Sequence, residues 1–250
     1  MSKLRSHISI SLDGCVAGPN QSEGNPLGDG GERLHEWIFP LAAWRQAHGH
    51  QSGEVNESAR IVEESRENIG AGVMGRNIFG PIGGGGWGED PPYHYPVFIL
   101  THHPREPVEM EGGTTFHFVT DGIESALQQA KEAAGGEDIM LWGGAQVVNQ
   151  YLAAGLLDEL ELHVVPLLLG DGARIFDNLG DSEVKLEQVR AAERRASTSP
   201  ASRAIGARAR VRWRAEPSPP RTPVGRAPSA LPGVRLRGAR LIRPRASALR

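Results

Sequence analysis

Apolar positions change their period several times along the chain, and each change marks an element. Residues 7–12 alternate weakly around Ile8 and Ile10, which predicts a first strand closed by Asp13-Gly14. A loop rich in Gly, Asn, Asp and Pro then runs to Gly31, and its composition predicts mobility. Leu34, Trp37, Ile38 and Leu41 recur at helical spacing, so a helix is expected from Glu32 into the forties, with Pro40 as its point of weakness. A second helix covers 58–68 and stops at Gly70. Residues 71–74 form a short apolar strand, whereas 81–88, with consecutive glycines at 83–86, fit no regular element. Val97, Phe98, Ile99 and Leu100 run without a polar break, as in a central strand covered on both faces. Further strands are predicted at 114–119, 138–142, 159–165 and 184–189, with Leu160, Leu162 and Val164 sharing one face. Helices are predicted at 121–134, where Asp121 and Glu124 have capping-box spacing, and at 145–154, closed by Gly155. Crossover helices between strands imply parallel pairing in a layered α/β architecture. The closing strands have no helix between them and are expected to be antiparallel to a neighbour.

Charge divides the chain. Residues 194–250 hold 15 arginines, no lysine and one acid, Glu216, against 12 basic and 29 acidic residues before them. Large aliphatic residues lose their period there, and such a segment cannot bury enough surface to offset the entropy of ordering. One domain over 1–193 and a disordered Arg/Pro/Ala-rich tail over 194–250 are therefore expected. The tail has two readings: a segment that binds polyanions by charge alone, without specific nucleic-acid recognition, or an extension with no role. The lone Cys15 excludes an intrachain disulfide and a thiolate-rich metal site, and fits a reducing compartment. There is no signal-peptide core and no long apolar run, so a cytoplasmic protein without a membrane partner is expected.

Two turns carry candidate chemistry. Gly143-Gly144 stands between a short strand and a helix start, where small residues admit close backbone approach and exposed N–H groups favour phosphate. Met74-Gly75-Arg76-Asn77 repeats the pattern with an arginine whose planar fork suits phosphate. Two such turns point to one extended dinucleotide, each holding one part. Asp13 ends the first strand, where open α/β sheets place ligands; the alternative is a turn-forming Asp-Gly. Glu32 and Glu36 share a helix face beside Asp29 and His35, facing either a pocket or solvent. His94, His102, His103 and His117 have no convergent ligand spacing, so no metal is expected. No nucleophile elbow surrounds Ser11, and no catalytic triad is visible.

Taken in order, these residues resemble the dihydrofolate-reductase-like family that includes the reductase domain of bacterial riboflavin biosynthesis. Ile8-Ser9-Ile10-Ser11-Leu12-Asp13-Gly14-Cys15-Val16-Ala17-Gly18 looks like its first strand and active-site loop. Gly75-Arg76-Asn77 is similar to its Gly-Arg cofactor turn, and Trp142-Gly143-Gly144-Ala145 to its Gly-Gly turn beneath the pyrophosphate. Leu157 to His163, with Pro166 to Gly170 and Phe176, resembles its late strand and loop. The resemblance implies a three-layer fold around a twisted, mainly parallel mixed sheet with an antiparallel C-terminal part. It implies NADPH as cofactor and hydride transfer to a small heterocyclic substrate, with 5-amino-6-(5-phosphoribosylamino)uracil first and dihydrofolate second. A homodimer is implied as well, and a cofactor-binding protein without catalysis is the rival reading. Val16, Ala17, Gly75, Arg76, Asn77, Trp142, Gly143, Gly144, Ala145 and Gln146 become the cofactor candidates; Asp13, Glu32 and Glu36 become the catalytic candidates. The resemblance also implies a closing aliphatic strand near 195, where Arg194-Arg195-Ala196-Ser197-Thr198-Ser199-Pro200 stands instead.

Overall fold

The computed structural model describes residues 2–22, 24–80, 87–177, 179, 186–194 and 206–213. The predicted strands appear as β1 (Leu4–Ser11), β3 (Ile69–Gly75), β4 (Pro96–Leu100), β6 (Thr115–Val119), β7 (Asp138–Leu141), β8 (Glu159–Val165) and β10 (Leu186–Arg194). Short strands β2 (Cys15–Ala17), β5 (Val108–Glu109) and β9 (Ala173–Arg174), and a longer one, β11 (Gly206–Trp213), complete the set. Nine of them form one sheet in the order β10-β11-β8-β1-β7-β3-β4-β6-β5. The six strands from β8 to β6 are parallel; β5, β10 and β11 run antiparallel to their neighbours. The mainly parallel sheet with an antiparallel C-terminal part is thus as the sequence implied.

The pleat sends alternate residues of each strand to opposite layers. Leu4, Ile8 and Ile10 of β1 join Ala71, Val73, Ile139 and Leu141 in the main core. Helices α4 (Ile123–Ala133) and α5 (Ala145–Ala153) cover that face with Ala126, Leu127, Ala130, Val148 and Leu152. Tyr151 of α5 is fully buried, and its hydroxyl donates to the Ile123 carbonyl at 2.8 Å. On the other side, Met74, Val97, Ile99 and Phe116 pack with Phe79 and Tyr93 in a second cluster. Phe98 points to the first core and Ile99 to the second, so β4 is covered on both faces, as its unbroken apolar run predicts. Helices α1 (Ala42–Ala47) and α2 (Glu57–Arg66) form a third cluster through Leu41, Ala43, Ala59 and Val62, and a single helical turn, α3 (Arg76–Phe79), follows β3. Asn56 caps α2 by accepting from the Ala59 N–H.

Four expectations change. The helix expected from Glu32 is instead one 3-10 turn, Gly31–Leu34, followed by turns up to α1. Pro40 disfavours helical backbone at Phe39 and brings no N–H, so helix resumes only beyond it. Asp121 does not cap α4: Gly122 stands at the cap with φ 94°, and the Asp121 carboxylate accepts from the Thr120 hydroxyl. The loop after β1 is braced rather than loose, because Asn20 and Asn25 both donate to the Asp29 carboxylate while Gly18 N–H bonds Leu27 and Asp29 N–H bonds Pro19. Finally, the compact unit does not stop at 193 but extends over Met1–Ala215. Within it, β11 is hydrogen-bonded to β10 on one side and β8 on the other. Residues 206–213 alternate arginine with smaller or apolar residues, a period-2 pattern that a strand can use once both its edges are paired. The expectations for 81–86, 195–205 and 214–250 lie outside the described residues.

Two outcomes follow from this packing. Tyr151→Phe keeps the ring but loses the hydroxyl donor, and should lower the urea unfolding free energy by about 1 kcal/mol with an unchanged m-value. Amides of 207–213 should exchange slowly with solvent, since the strand lies inside the sheet; exchange at the rate of unstructured peptide would return the domain boundary to 193.

Candidate active site

Parallel pairing carries the carboxyl ends of β1, β3, β4, β6 and β7 to one edge, and a cleft of about 1220 Å³ opens there. Val16 and Ala17 line it after β1, and Gly75, Arg76 and Asn77 after β3. Thr101, His102 and His103 line it after β4, Thr120 and Gly122 after β6, and Trp142 through Gln146 after β7. All ten residues named as cofactor candidates therefore sit on one cleft. His102 and His103, weighed in the sequence only as metal ligands, sit on its rim, exposed. Among the described residues they do not group as ligands; the one His/Cys/Asp/Glu group close enough to hold an ion is His7, Glu161 and His163.

The two glycine turns meet. The Gly75 N–H donates to the Gly143 carbonyl at 2.8 Å, and Trp142 N–H donates to Val73 at 2.9 Å. A Cβ on Gly75 would stand 2.8 Å from Val147 Cγ2 and 3.5 Å from the Gly143 oxygen, so a side chain at this crossing would have to displace Val147. Gly143 has φ 95°, the left-handed region, and the Gly143-Gly144 peptide is cis. Helix α5 starts directly behind it, with Val147 and Val148 N–H bonded to the Gly144 carbonyl. The N–H groups ahead of them belong to a helix start, which has no intrahelical acceptors and attracts anions. The Arg76 guanidinium donates to the Gly80 carbonyl and lies 5.8 Å from the Phe79 ring centre, which sets its place on the wall. Opposite, Trp142 packs against Tyr93 with ring centres 4.8 Å apart. Burial pushes the phenols of Tyr93, in this wall, and of Tyr95, packed behind it, far up, so both stay neutral.

The acids chosen as catalytic candidates lie elsewhere. Glu32 and Glu36 are exposed and do not line the cleft, because the helix that would have aligned them is replaced by a single 3-10 turn. Asp13 is also off the cleft wall; its carboxylate accepts from the Gly170 N–H at 2.7 Å and the Leu169 N–H at 3.2 Å. The Ser11 hydroxyl first, then the Gly170 amide, hold it at about 2, well below the ordinary carboxylate range. Asp13 thus pins the loop after β8 to the loop after β1, where β2 and β9 pair and Ile175 N–H bonds the Gly14 carbonyl. Cys15 lies buried beneath, and burial, together with the nearby Asp13 charge, pushes its thiol up and away from thiolate chemistry.

The cleft continues onto one face of β1 and β8. Register pairs His7 with Glu161 and Ser9 with His163, and His7, Ser9 and His163 line the cleft together with His35 and Trp37. Glu161 Oε1 is 3.2 Å from His7 Nδ1 and 3.3 Å from His163 Nε2. Trp37 packs on His163 with ring centres 4.7 Å apart, and its indole N–H donates to Ser9 Oγ at 3.0 Å. Burial first, and then His163, push the His35 imidazole down, so it is neutral at pH 7. Sequence reading missed this wall. The alternation of 159–165 marked its apolar face, but no local signal showed that the opposite face is covered. The rule that ligands sit at strand carboxyl ends could have found Thr101 to His103 and Thr120.

Asp13 gives a pH-dependent outcome. A carboxylate held at about 2 contributes stability that is fully present above its unfolded value near 4 and is lost as pH falls through 2. Wild type should therefore unfold at higher urea than Asp13→Asn at pH 7, and the gap should close between about pH 4 and pH 2. A gap that stays constant over that range would assign the loss to packing instead of charge.

Comparison with known proteins agrees with this architecture. The family model described as the RibD C-terminal domain matches residues 2–197. The chain is 30% identical over 92 residues to the uncharacterized protein YyaP of Bacillus subtilis (strain 168), across 35% of this chain and 48% of that one. It is 32% identical over 69 residues to the uncharacterized protein YwjB of the same organism, across 28% and 38%. The chain thus spans about half or less of the length of these curated relatives. A protein of Shewanella sp. PV-4 assigned to riboflavin biosynthesis superposes with a TM-score of 0.56 at 19% identity, covering 86% of this chain and 100% of that one. Dihydrofolate reductase from Enterococcus faecalis, solved with NADP(H), superposes with a TM-score of 0.50 at 15% identity, covering 84% and 96%. With the sheet order, the crossed glycine turns and a family match over most of its length, the chain belongs to the RibD C-terminal domain family and has the dihydrofolate-reductase-like fold.

Proposed function

We propose that the protein is an NADPH-dependent oxidoreductase that transfers a hydride to a carbon–nitrogen or carbonyl bond of a small heterocycle. The observation that carries this reading is the meeting of the Gly75 and Gly143-Gly144 turns on one cleft, directly in front of α5. The residues fit a dinucleotide: a side-chain-free crossing, a helix start for one phosphate, and the Arg76 fork for another. When bound, the nicotinamide supplies the hydride, and the protein supplies orientation and exclusion of water. Gly75 and Gly143 allow the backbone to approach the pyrophosphate, while Val16 and Ala17 border the cleft from the loop after β1. That loop is held by Asp13 and braced by Asp29, so the wall it offers is preformed.

The family match and the fold likeness to a dihydrofolate reductase solved with NADP(H) support this reading. 5-Amino-6-(5-phosphoribosylamino)uracil is the first substrate we propose, and dihydrofolate the second. The absence of Asp13, Glu32 and Glu36 from the cleft wall weighs against any of these three as the carboxylate donor for a pterin.

NADPH should quench the fluorescence of Trp142, which lines the cleft. Arg76→Ala should weaken NADPH binding by about 1–3 kcal/mol. It should weaken NADH binding less, if the fork meets the extra phosphate. A substrate panel followed at the NADPH absorbance band then names the acceptor. No binding of either nucleotide at millimolar concentration would rule the proposal out.

A further inference from the structure

If the cleft performs such a reduction, a proton must accompany the hydride, and the cleft wall offers a source in an unexpected place. Register puts His7 opposite Glu161 and Ser9 opposite His163. Residues at i and i+2 of a strand share a face, so the four stand together on the side away from Ile8, Ile10 and Leu160. Glu161 is 2% exposed, and its Oε1 lies within 3.3 Å of a ring nitrogen from each histidine. His7 and His163 line the cleft, whereas Glu161 lies behind them. A carboxylate buried against two imidazoles favours the imidazolium form and fixes its orientation. Trp37 packs on the His163 ring and is itself tied to Ser9, which holds that ring against the wall.

We infer that His163, oriented by Glu161, is the proton donor of the reduction, with His7 as the neighbouring imidazole on the same carboxylate. This rests on the reductase reading above. In the step, the new C–H bond takes its hydrogen and two electrons from the reduced nicotinamide. The C=N or C=O π bond breaks and its electron pair moves to the heteroatom. The new heteroatom–H bond forms with the proton that leaves His163 at Nδ1, the nitrogen turned away from Glu161. Glu161 stays anionic throughout, and His163 regains its proton from solvent before the next turnover. His163 is the catalytic residue and Glu161 the positioning residue. Among the residues whose side chains are described, the titratable groups around them are His7 on β1 and His35 beyond the 3-10 turn, and the backbone register of β11 sets positions 208 and 210 opposite His163 and Glu161.

The test uses the full chain and two readouts. In the protein alone, NMR of the His163 ring should show its ionisation, and Glu161→Gln should move that ionisation to lower pH. In turnover, kcat should fall as pH rises through the same ionisation. His163→Gln should lower kcat by about 10²–10⁴-fold and flatten the profile, with NADPH binding unchanged. His163→Ala should recover activity with added imidazole, which a structural role would not. Turnover that survives His163→Gln with its pH profile intact overturns this inference and leaves the reductase reading standing. A wild type that binds no NADPH or reduces nothing in the panel overturns both. Tight Zn²⁺ binding that His163→Gln abolishes, with turnover that depends on the metal, would make the cluster a metal site and overturn the proton-donor role.

Discussion

The insertion of β7 between β1 and β3 is the constraint from which the cleft follows. Parallel pairing on both sides of β7 makes the three strands end together, which brings Val16, Gly75 and Gly143 to one edge. Beyond the ladders that join β7 to β1 and β3, Ile139 N–H bonds Lys3, Trp142 N–H bonds Val73, and Gly75 N–H bonds Gly143. A slip of one residue in β7 would exchange its faces. Ile139 and Leu141 would leave the main core, and Met140, which lines the cleft, would enter it. Core packing and cleft chemistry therefore select the same register, and neither can change alone.

The same pleat explains a costly feature of β1 and β8. Arg5, Ser9, Ser11, Glu159 and Glu161 are all less than 10% exposed, so one face of two central strands is polar and buried. Charges removed from water must be paired to be tolerated. Arg5 lies 3.3 Å from Asp138 and 3.9 Å from Glu159, Lys3 lies 3.0 Å from Glu159, and Glu161 faces two histidines. Replacing one member would leave a buried charge without its counterpart, so the set behaves as a unit. Such a face contributes less to stability than an apolar one of equal area. What it supplies is position: Glu161 can orient two rings on a cleft wall, which a leucine cannot.

Asp13 and Asp29 illustrate why acids near a site need not act in it. Each carboxylate is committed to local donors: Asp13 to the Leu169 and Gly170 amides, and Asp29 to the Asn20 and Asn25 side chains. Their task is to hold two loops in shape, and that shape places Val16 and Ala17 beside the glycine turns.

Local chemistry made much of this legible in the sequence. Period-2 runs gave the strands, the unbroken run 97–100 gave the doubly covered β4, and paired strand–glycine–helix turns gave the cofactor candidates, because periodicity, glycine conformation and helix starts depend on near neighbours along the chain. Pro40 marked the weak point of a helix but not that Glu32 and Glu36 would lose their common face, since propensity does not say how far a break spreads. The pairing of His7 with Glu161, the burial of the second face of β8, and the entry of β11 between β8 and β10 were decided only by tertiary structure. Each depends on hydrogen bonds between strands remote in sequence, and a polar residue on an alternating strand reads the same whether water or protein covers it. A run of arginines at 208, 210 and 212 looks like a tail until a neighbouring strand edge needs a partner.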